Sequence, residues 1–160
     1  IEIERDVDEL TQIYNRNGLK IKINKLLEDK NIAQYALIFI DLDDLKQVND
    51  VYGHYCGDLY LKQMTNVLKT ISGEKCLVGR LGGDEFIAFF HHYDSMEKLN
   101  NDINQLNEIR DQIVLLADDH SVNLAFSYGV CYGTEGTDLQ RMIEIADYKM
   151  YENKRKRKGR

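Results

Sequence analysis

Carboxylate side chains follow two segments that lie far apart in the sequence. Asp41 comes directly after the apolar run 36–40, and Asp84 and Glu85 follow a Gly-Gly pair. If the two segments form neighbouring strands, these carboxylates meet at one end of a sheet. Mg²⁺ prefers a few carboxylate oxygens completed by substrate phosphates, and paired metal ions held in this way activate an attacking oxygen and neutralise a leaving pyrophosphate. The spacing is equally compatible with solvated carboxylates at strand ends.

A second polar set lies between residues 46 and 58. It contains Lys46, Asn49, His54 and Asp58. A carboxylate accepts hydrogen bonds from the ring N–H and exocyclic amine of guanine, and an amide reads another edge of the base. Local roles compete with this interpretation. Asp58 would cap a helix that begins at Leu59, Asn49 would make a turn contact, and the other two would be ordinary surface side chains.

The pair Gly82-Gly83 also has two interpretations. Glycine adopts positive φ without steric cost, so the pair predicts a tight hairpin turn between two strands. The missing side chains would also let a large ligand lie against the backbone.

The spacing of apolar residues predicts the elements that must position these side chains. Short apolar runs predict strands, apolar residues at helical spacing predict helices, and Asn17-Gly18 predicts a turn before the first helix. The predicted strands are 36–40, 76–81, 85–90 and 122–132, and the predicted helices are about 19–32, 59–71, 96–116 and 138–155. This order predicts an α+β fold with a central antiparallel sheet in split βαβ (ferredoxin-like) order and helices packed on its faces.

The charge distribution separates an acidic body from a basic C-terminal segment. Acidic residues outnumber basic ones by 27 to 21, which gives a formal net charge of -6. Residues 149–160 hold seven basic residues and one acidic residue, which leaves 14 and 26 for residues 1–148. The acidic body argues against nucleic-acid binding.

No apolar run approaches the roughly 18 residues of a membrane helix. The three cysteines form no CxxC pair and favour a reducing cytosol.

Five segments resemble the motifs of one enzyme family, in order and at the family's spacing. LGGDEF (81–86) resembles the GGDEF signature of diguanylate cyclases, and IDLDDLKQVNDVYGHYCGD (40–58) resembles the stretch DxDxFKxxND-x-x-GHxxGD. The remaining three are DELTQIYNR (8–16), FSYGVC (126–131) and ADYKMYENK (146–154). The chain is identified by this resemblance as a GGDEF domain over about residues 8–158, with a nucleotidyl-cyclase-like fold.

The resemblance implies a reaction between two domains that face each other, each holding one GTP. The two GTP molecules condense into cyclic di-GMP with release of two pyrophosphates. Two Mg²⁺ or Mn²⁺ ions per active site would be held by Asp41, Asp84, Glu85 and the backbone carbonyl of Leu42. Asp84 is also the candidate base for the attacking 3′-hydroxyl, and Lys46 would stabilise charge on the phosphates.

The resemblance also implies a set of contacts to the nucleotide. Asn49 and Asp58 would read the guanine, with His54 nearby. Lys154 would contact the terminal phosphates. The remaining residues are the hairpin glycines Gly82 and Gly83, which would give the nucleotide room, and Arg80, for which a structural role is expected.

Several positions depart from the family's patterns. Gln12 replaces a glycine and Leu45 a phenylalanine, and both changes concern local structure. Residues 73–76 (GEKC) stand where the family's inhibitory RxxD lies, which predicts weak or no feedback inhibition through this site. KRKRKGR matches the family's KxxGR only after a two-residue shift, so Lys158 and Arg160 compete for the phosphate contact. A solvated basic helix end is an equal alternative.

Two functions follow from these observations. The first is an active homodimeric cyclase, and the second is a catalytically inactive GGDEF domain that binds GTP and regulates an attached or partner domain. A related cyclase with another cyclic product is a third reading of the same fold. We expect one domain over 1–160, with residues 1–7 ending an upstream linker and 155–160 forming a basic tail. It would be cytoplasmic and a fragment of a longer sensor protein, either free in the cytoplasm or anchored in the membrane by another segment, without membrane contact of its own.

Overall fold

Strands and helices follow one another in the predicted order, with one additional small sheet. The computed structural model describes residues 5–136 and 138–159. The strands are β1 (Gln34–Leu42), β2 (Cys76–Gly82), β3 (Glu85–Tyr93), β4 (Ile113–Leu115), β5 (Ser121–Asn123) and β6 (Phe126–Tyr132). The helices are α1 (Arg16–Leu27), α2 (Leu45–Tyr52), α3 (His54–Ile71), α4 (Met96–Ile103), α5 (Gln105–Ile109) and α6 (Leu139–Lys158). None of these described helices has the length and apolar character needed to cross a membrane.

The main sheet has four strands in the order β2-β3-β1-β6, and every neighbouring pair is antiparallel. This confirms the α+β fold and the split βαβ order. Strand β1 is central, and all its residues from Ala36 to Leu42 are buried. Its apolar sequence is therefore explained by contact with helices on both faces of the sheet.

The two faces carry different helices. On one face, α1 and α6 pack against Leu37 and Phe39 of β1 and against Ile87 of β3. On the other face, α2, α3, α4 and α5 cover the intervening residues of the same strands. Burial of each large side chain contributes about 1.5–3 kcal/mol. Because side chains alternate along a strand, Asp41 and Glu85 lie on the face of α1 and α6.

Helix α6 approaches strand β6 closely at Gly129. A Cβ atom at this position would lie 2.2 Å from the backbone nitrogen of Met150 and 2.3 Å from the carbonyl oxygen of Ala146. Only glycine allows this distance between backbones. The last turns of α6 are thereby held against the sheet at the end where β1 terminates.

The predicted helix 96–116 is wrong in its second half. Helix α5 ends at Ile109, Arg110 is extended, and Asp111 has a positive φ of 66°. Ile113 instead begins strand β4, which pairs with β5 in a separate two-stranded sheet. The predicted strand 122–132 is correspondingly divided into β5 and β6. Apolar spacing alone did not distinguish a continuous helix from a short helix followed by a strand.

The polar stretch 46–58 is helical rather than a loop. Helices α2 and α3 meet at Gly53, which has a φ of +91°. Asp58 therefore lies in the second turn of α3, and the expectation that it caps a helix at Leu59 is wrong.

The predicted turn at Asn17-Gly18 is also wrong. These two residues lie in the first turn of α1, because the side chain of Asn15 accepts a hydrogen bond from the Gly18 N–H and caps that helix.

Candidate active site

Asp41 is a buried carboxylate at the end of the central strand. It is 9% exposed and pairs in register with Glu85 on one side and Ser127 on the other. The Lys154 ammonium donates a hydrogen bond of 2.7 Å to its Oδ2. Its Oδ1 atom is buried and has no hydrogen-bond partner among the described residues. An unpartnered buried carboxylate oxygen is costly in an isolated protein, so it marks a place where a ligand would be favourable.

Burial and the nearby Asp84 raise the pKa of two carboxylates at this sheet end. Burial raises the pKa of Asp41 to about 6, and the nearby Asp84 adds to the rise while Lys154 opposes it. Burial, together with Asp84, also raises the pKa of Glu85. Burial disfavours the charge of Lys154, but its hydrogen bond to Asp41 and the charge of Asp43 outweigh that effect and raise its pKa. The cluster therefore favours an added positive charge.

The β2–β3 hairpin brings Asp84 beside Asp41. Gly82 and Gly83 have φ values of +146° and +50°, which explains the glycines as turn residues. The Leu42 N–H donates to the Asp84 carbonyl at 3.0 Å, so a backbone hydrogen bond joins the hairpin to the end of β1. A Cβ at either glycine would meet no atom within 4 Å, so the space above the turn is open. The use of this space by a nucleotide stays a prediction.

Arg80 stabilises the hairpin from its outer side. Its guanidinium donates two hydrogen bonds to the carbonyl of Gly83, at 3.0 and 2.8 Å, and contacts the Asp8 carboxylate at 3.2 and 3.3 Å. Asp8 in turn accepts hydrogen bonds from the backbone and hydroxyl of Thr11. The N-terminal motif DELT is therefore bonded to the hairpin that carries Asp84, in agreement with the structural role expected for Arg80.

The predicted guanine-reading residues lie where α2 meets α3. A Cβ at Gly57 would lie 1.7 Å from Asn49 Oδ1, so the amide occupies the space beside this glycine. Asp58 follows Gly57 and is exposed, as is His54 at the start of α3. The structure thus places Asn49 against α3 at Gly57, the residue before Asp58. Their contacts with a base stay predictions.

Lys46 is the one predicted catalytic residue that the structure does not bring to the carboxylate cluster. Its side chain is 91% exposed, and its ammonium contacts Asp50 at 3.2 Å on the same helix. Such exposed pairs contribute little to stability. A long exposed lysine at the start of α2 is free to turn toward a ligand, so its role at the phosphates stays a prediction.

Three residues at this sheet end were not among the predicted site residues. Arg157 contacts Asp43 Oδ2 at 3.1 Å, and the Ser127 hydroxyl donates to both oxygens of Asp43 at 3.1 and 3.0 Å. Asp43 and Ser127 lie inside the motifs quoted above, but Arg157 lies in a run of basic residues whose pattern does not indicate which one faces the sheet. Lys158, a candidate phosphate contact, is exposed, and Arg160 lies outside the described residues.

The donor set fits a divalent metal ion only if a ligand completes it. Within residues 5–136 and 138–159, no group of three or more His, Cys, Asp or Glu side chains is arranged to hold a metal by itself. Mg²⁺ commonly takes one or two carboxylates and substrate phosphates. The free Oδ1 of Asp41 and the adjacent acidic hairpin supply the protein part of such a site.

Comparison with known sequences decides the family. The sequence model of the family described as "Diguanylate cyclase, GGDEF domain" matches residues 5–160. The chain belongs to the GGDEF family. The description of this family names the diguanylate cyclases, and curated relatives of the chain carry that name.

Named relatives and a solved structure agree with this assignment. The GGDEF chain is 30% identical over 151 residues to diguanylate cyclase DgcN of Escherichia coli K12, covering 94% of this chain and 37% of DgcN. It is 33% identical over 156 residues to DgcP of the same organism, covering 92% of this chain and 44% of DgcP. A structure of TpbB (YfiN) from Pseudomonas aeruginosa comprising only the GGDEF domain matches with a TM-score of 0.86 at 29% identity, over 94% of this chain and 89% of that one. The chain thus spans less than half of each named cyclase.

Proposed function

We propose that this GGDEF domain is an active diguanylate cyclase that condenses two GTP molecules into cyclic di-GMP and two pyrophosphates. The observation that carries the proposal is the buried Asp41, with one free oxygen, beside Asp84 and opposite Glu85. GGDEF domains that have lost activity usually have a damaged signature or metal aspartate. Here the signature residues and Asp41 are all present.

The carboxylates would hold two Mg²⁺ or Mn²⁺ ions. Asp41, Asp84, Glu85 and the carbonyl of Leu42 are the proposed protein ligands. When bound, the metal ions would neutralise the phosphates and favour ionisation of the attacking hydroxyl. The raised pKa of Asp41 and Glu85 supports this role, because burial and then the charge of Asp84 cause the rise, and a bound cation would offset both.

The chain's own side chains would orient the reacting groups and accept the proton of the attacking hydroxyl. Asp84 accepts the proton of the 3′-hydroxyl, whose oxygen attacks the α-phosphate of the GTP on the facing domain. The bond from this phosphorus to the bridging oxygen breaks, and pyrophosphate leaves. Lys46 and Lys154 would stabilise negative charge on the phosphates. Because Lys154 already lies 2.7 Å from Asp41, it is close to where the metals and phosphates would meet.

The base would lie where α2 meets α3. Asp58 accepts from the ring N–H and exocyclic amine of guanine, and Asn49 reads another edge, with His54 nearby. Gly82 and Gly83 leave open space above the hairpin for the nucleotide. The exposure of Asp58 and the position of Asn49 beside Gly57 support this arrangement.

Catalysis would need a homodimer, since each domain binds one GTP and the reaction joins two. In the whole protein, we propose that an upstream sensory or linker region pairs the domains and that this domain acts on cytoplasmic GTP. The short span of this chain relative to DgcN and DgcP supports its being one part of a longer signalling protein. An isolated domain would then be limited by the concentration of the second copy.

The test is product analysis at high protein concentration. The purified chain, and a version fused to a dimeric coiled coil, are incubated with GTP and Mg²⁺ or Mn²⁺, and the products are resolved by mass. Cyclic di-GMP from the parent and none from Asp84→Ala would support the proposal. GTP binding without product from the forced dimer would contradict it and favour the regulatory, catalytically inactive domain. A mixed cyclic dinucleotide would contradict the stated product.

A further inference from the structure

Arg157 joins the last turns of α6 to the ends of β1 and β6. Its Nη1 donates to Asp43 Oδ2 at 3.1 Å, to the Ser127 hydroxyl at 3.4 Å and to the carbonyl of Phe126. In the family pattern KxxGR, read without a shift, this position holds glycine. In that reading, these contacts come from a side chain that differs from the family pattern.

The carboxylate of Asp43 is fully used by protein groups. The Ser127 hydroxyl lies at 3.1 and 3.0 Å from its two oxygens, Arg157 lies at 3.1 Å, and the side chain is only 9% exposed. Asp41, two residues earlier, has one buried oxygen without any partner in the described part of the chain. At this strand end, both oxygens of Asp43 therefore have hydrogen-bond partners, whereas only one oxygen of Asp41 has a partner.

A single cation lies within reach of both carboxylates. The Lys154 ammonium is 2.7 Å from Asp41 Oδ2 and 3.5 Å from Asp43 Oδ1. A positive ion near this place would meet oxygens of either residue, so distance alone does not decide which of them binds it. The difference lies in Arg157, because a guanidinium forms directional, charge-assisted hydrogen bonds that hold a carboxylate in one orientation.

We propose that Arg157 is a positioning residue that withholds Asp43 from the metal ions, so that Asp41 is the metal-binding carboxylate of β1. The inference rests on the metal site of the proposed function and adds a residue to it. Without Arg157, Asp43 keeps only the serine hydroxyl and Lys154 as partners. It would then turn toward the added cation and share it with Asp41.

The proposal is tested by Mn²⁺ binding with 3′-deoxy-GTP, which lacks the attacking hydroxyl and permits no turnover. Electron paramagnetic resonance of free Mn²⁺ gives the dissociation constant. In the parent, Asp43→Asn should change it by less than about threefold, whereas in an Arg157→Ala background the same substitution should weaken binding about tenfold. Equal effects of Asp43→Asn in both backgrounds would overturn the proposal.

The matched control is Lys156→Ala. The side chain of Lys156 is exposed and makes no hydrogen bond or ion pair with any residue in the described ranges, so its removal changes the charge of α6 without touching Asp43. In that background Asp43→Asn should behave as in the parent. If Lys156→Ala sensitises Mn²⁺ binding to Asp43→Asn as strongly as Arg157→Ala does, net charge is the cause and the proposal falls.

Two further variants separate the possible failures. Arg157→Lys keeps the charge but cannot reach the same three acceptors, so in this background Asp43→Asn should weaken Mn²⁺ binding to an intermediate extent. This variant replaces Arg157→Ala if circular dichroism shows that Arg157→Ala does not fold. Asp41→Asn should weaken Mn²⁺ binding in the parent by about tenfold or more. Loss of this Asp41 effect would overturn the metal site itself, and with it the role of Arg157. An intact Asp41 effect with unchanged Asp43 behaviour would overturn the role of Arg157 alone.

Discussion

Lys154 and Asp41 are 113 residues apart in the sequence and are joined by a 2.7 Å hydrogen bond at the end of the central strand. The contact depends on Gly129, which lets α6 lie directly on β6. Lys154 thereby reaches the carboxylate that the proposed function assigns to the metal. In the structure this lysine is the positive charge that makes burial of Asp41 tolerable.

Lys154→Met should destabilise the chain in a pH-dependent way when metal is absent. The variant leaves a buried carboxylate without its counter-ion, which costs about 1–3 kcal/mol at pH 8. The pKa of Asp41 should rise above its value of about 6, because the group that opposes the rise is removed. At pH 5 Asp41 is protonated and the loss should shrink. Urea unfolding at the two pH values measures the difference.

Lys149→Met is the control for this prediction. Lys149 lies on the same helix and contacts Glu135 at 2.6 Å, but both side chains are more than a third exposed. Its removal should cost less than about 1 kcal/mol, because solvent screens such a pair. A loss for Lys154→Met that is equal at pH 5 and pH 8 would contradict a role tied to the charge of Asp41.

Asp58→Ser should relax the preference for GTP over ATP. The carboxylate is the proposed acceptor for the two guanine donors, and adenine lacks that donor pair. Loss of a charged hydrogen-bond partner should reduce the ratio of GTP to ATP affinity by about tenfold or more. Competition of the two nucleotides for the purified domain measures the ratio. Asp94→Ser, which changes an exposed carboxylate after β3, should leave it unaltered. An unchanged GTP preference in Asp58→Ser would remove Asp58 from the guanine site.

Much of the fold was predictable because the pattern of the central strands is simple. The apolar run 36–40 and the Gly-Gly hairpin predicted β1, β2 and β3, and their pairing brings Asp41 opposite Glu85. The apolar residues Ile113 and Leu116 suited a longer helix equally well, and a backbone change at Asp111 decides against it. Turn-forming residues between 46 and 58 similarly obscured the short helix α2 and the first turn of α3, which meet at Gly53.

The site was predictable to the extent that its residues lie in compact motifs. Asp41, Asp84, Glu85 and Lys154 are brought together as the motifs imply. Arg157 was not predicted, because a run of basic residues carries no information about which one faces the sheet. That choice is made by the helical turn between Lys154 and Arg157 and by the acceptors at the ends of β1 and β6.

Cyclic di-GMP should not bind this domain tightly at the position of the family's RxxD. Residues 73–76 provide neither the arginine nor the aspartate, and Cys76 is a buried thiol at the start of β2. Isothermal titration should show no binding in the low-micromolar range, whereas a GGDEF domain that carries RxxD, titrated in parallel, should bind. Binding in that range by this chain, abolished by substitutions within 73–76, would contradict the prediction.

Acid should destabilise the domain through a histidine pair on β3. His91 Nδ1 lies 2.7 Å from His92 Nδ1, and His92 Nε2 lies 2.7 Å from Asp29 Oδ2. Burial, then the neighbouring His92 and Lys75, lowers the pKa of His91 below its ordinary value of 6.5. The unfolded chain therefore takes up this proton more readily than the folded one. The contribution of His91 to stability is complete above pH 6.5 and is lost as the pH falls below it.

The measurement is urea unfolding of the parent and of His91→Leu between pH 7.5 and pH 5. Asp41 acts in the opposite direction, because its raised pKa of about 6 makes the folded state take up protons more readily on acidification. Subtracting one pH curve from the other removes the contribution of Asp41 to stability, since both proteins retain Asp41. The parent should lose more stability than His91→Leu over this range, because only the parent must protonate a buried ring next to His92. Parallel pH curves for the two proteins would show that the histidine pair does not sense acid.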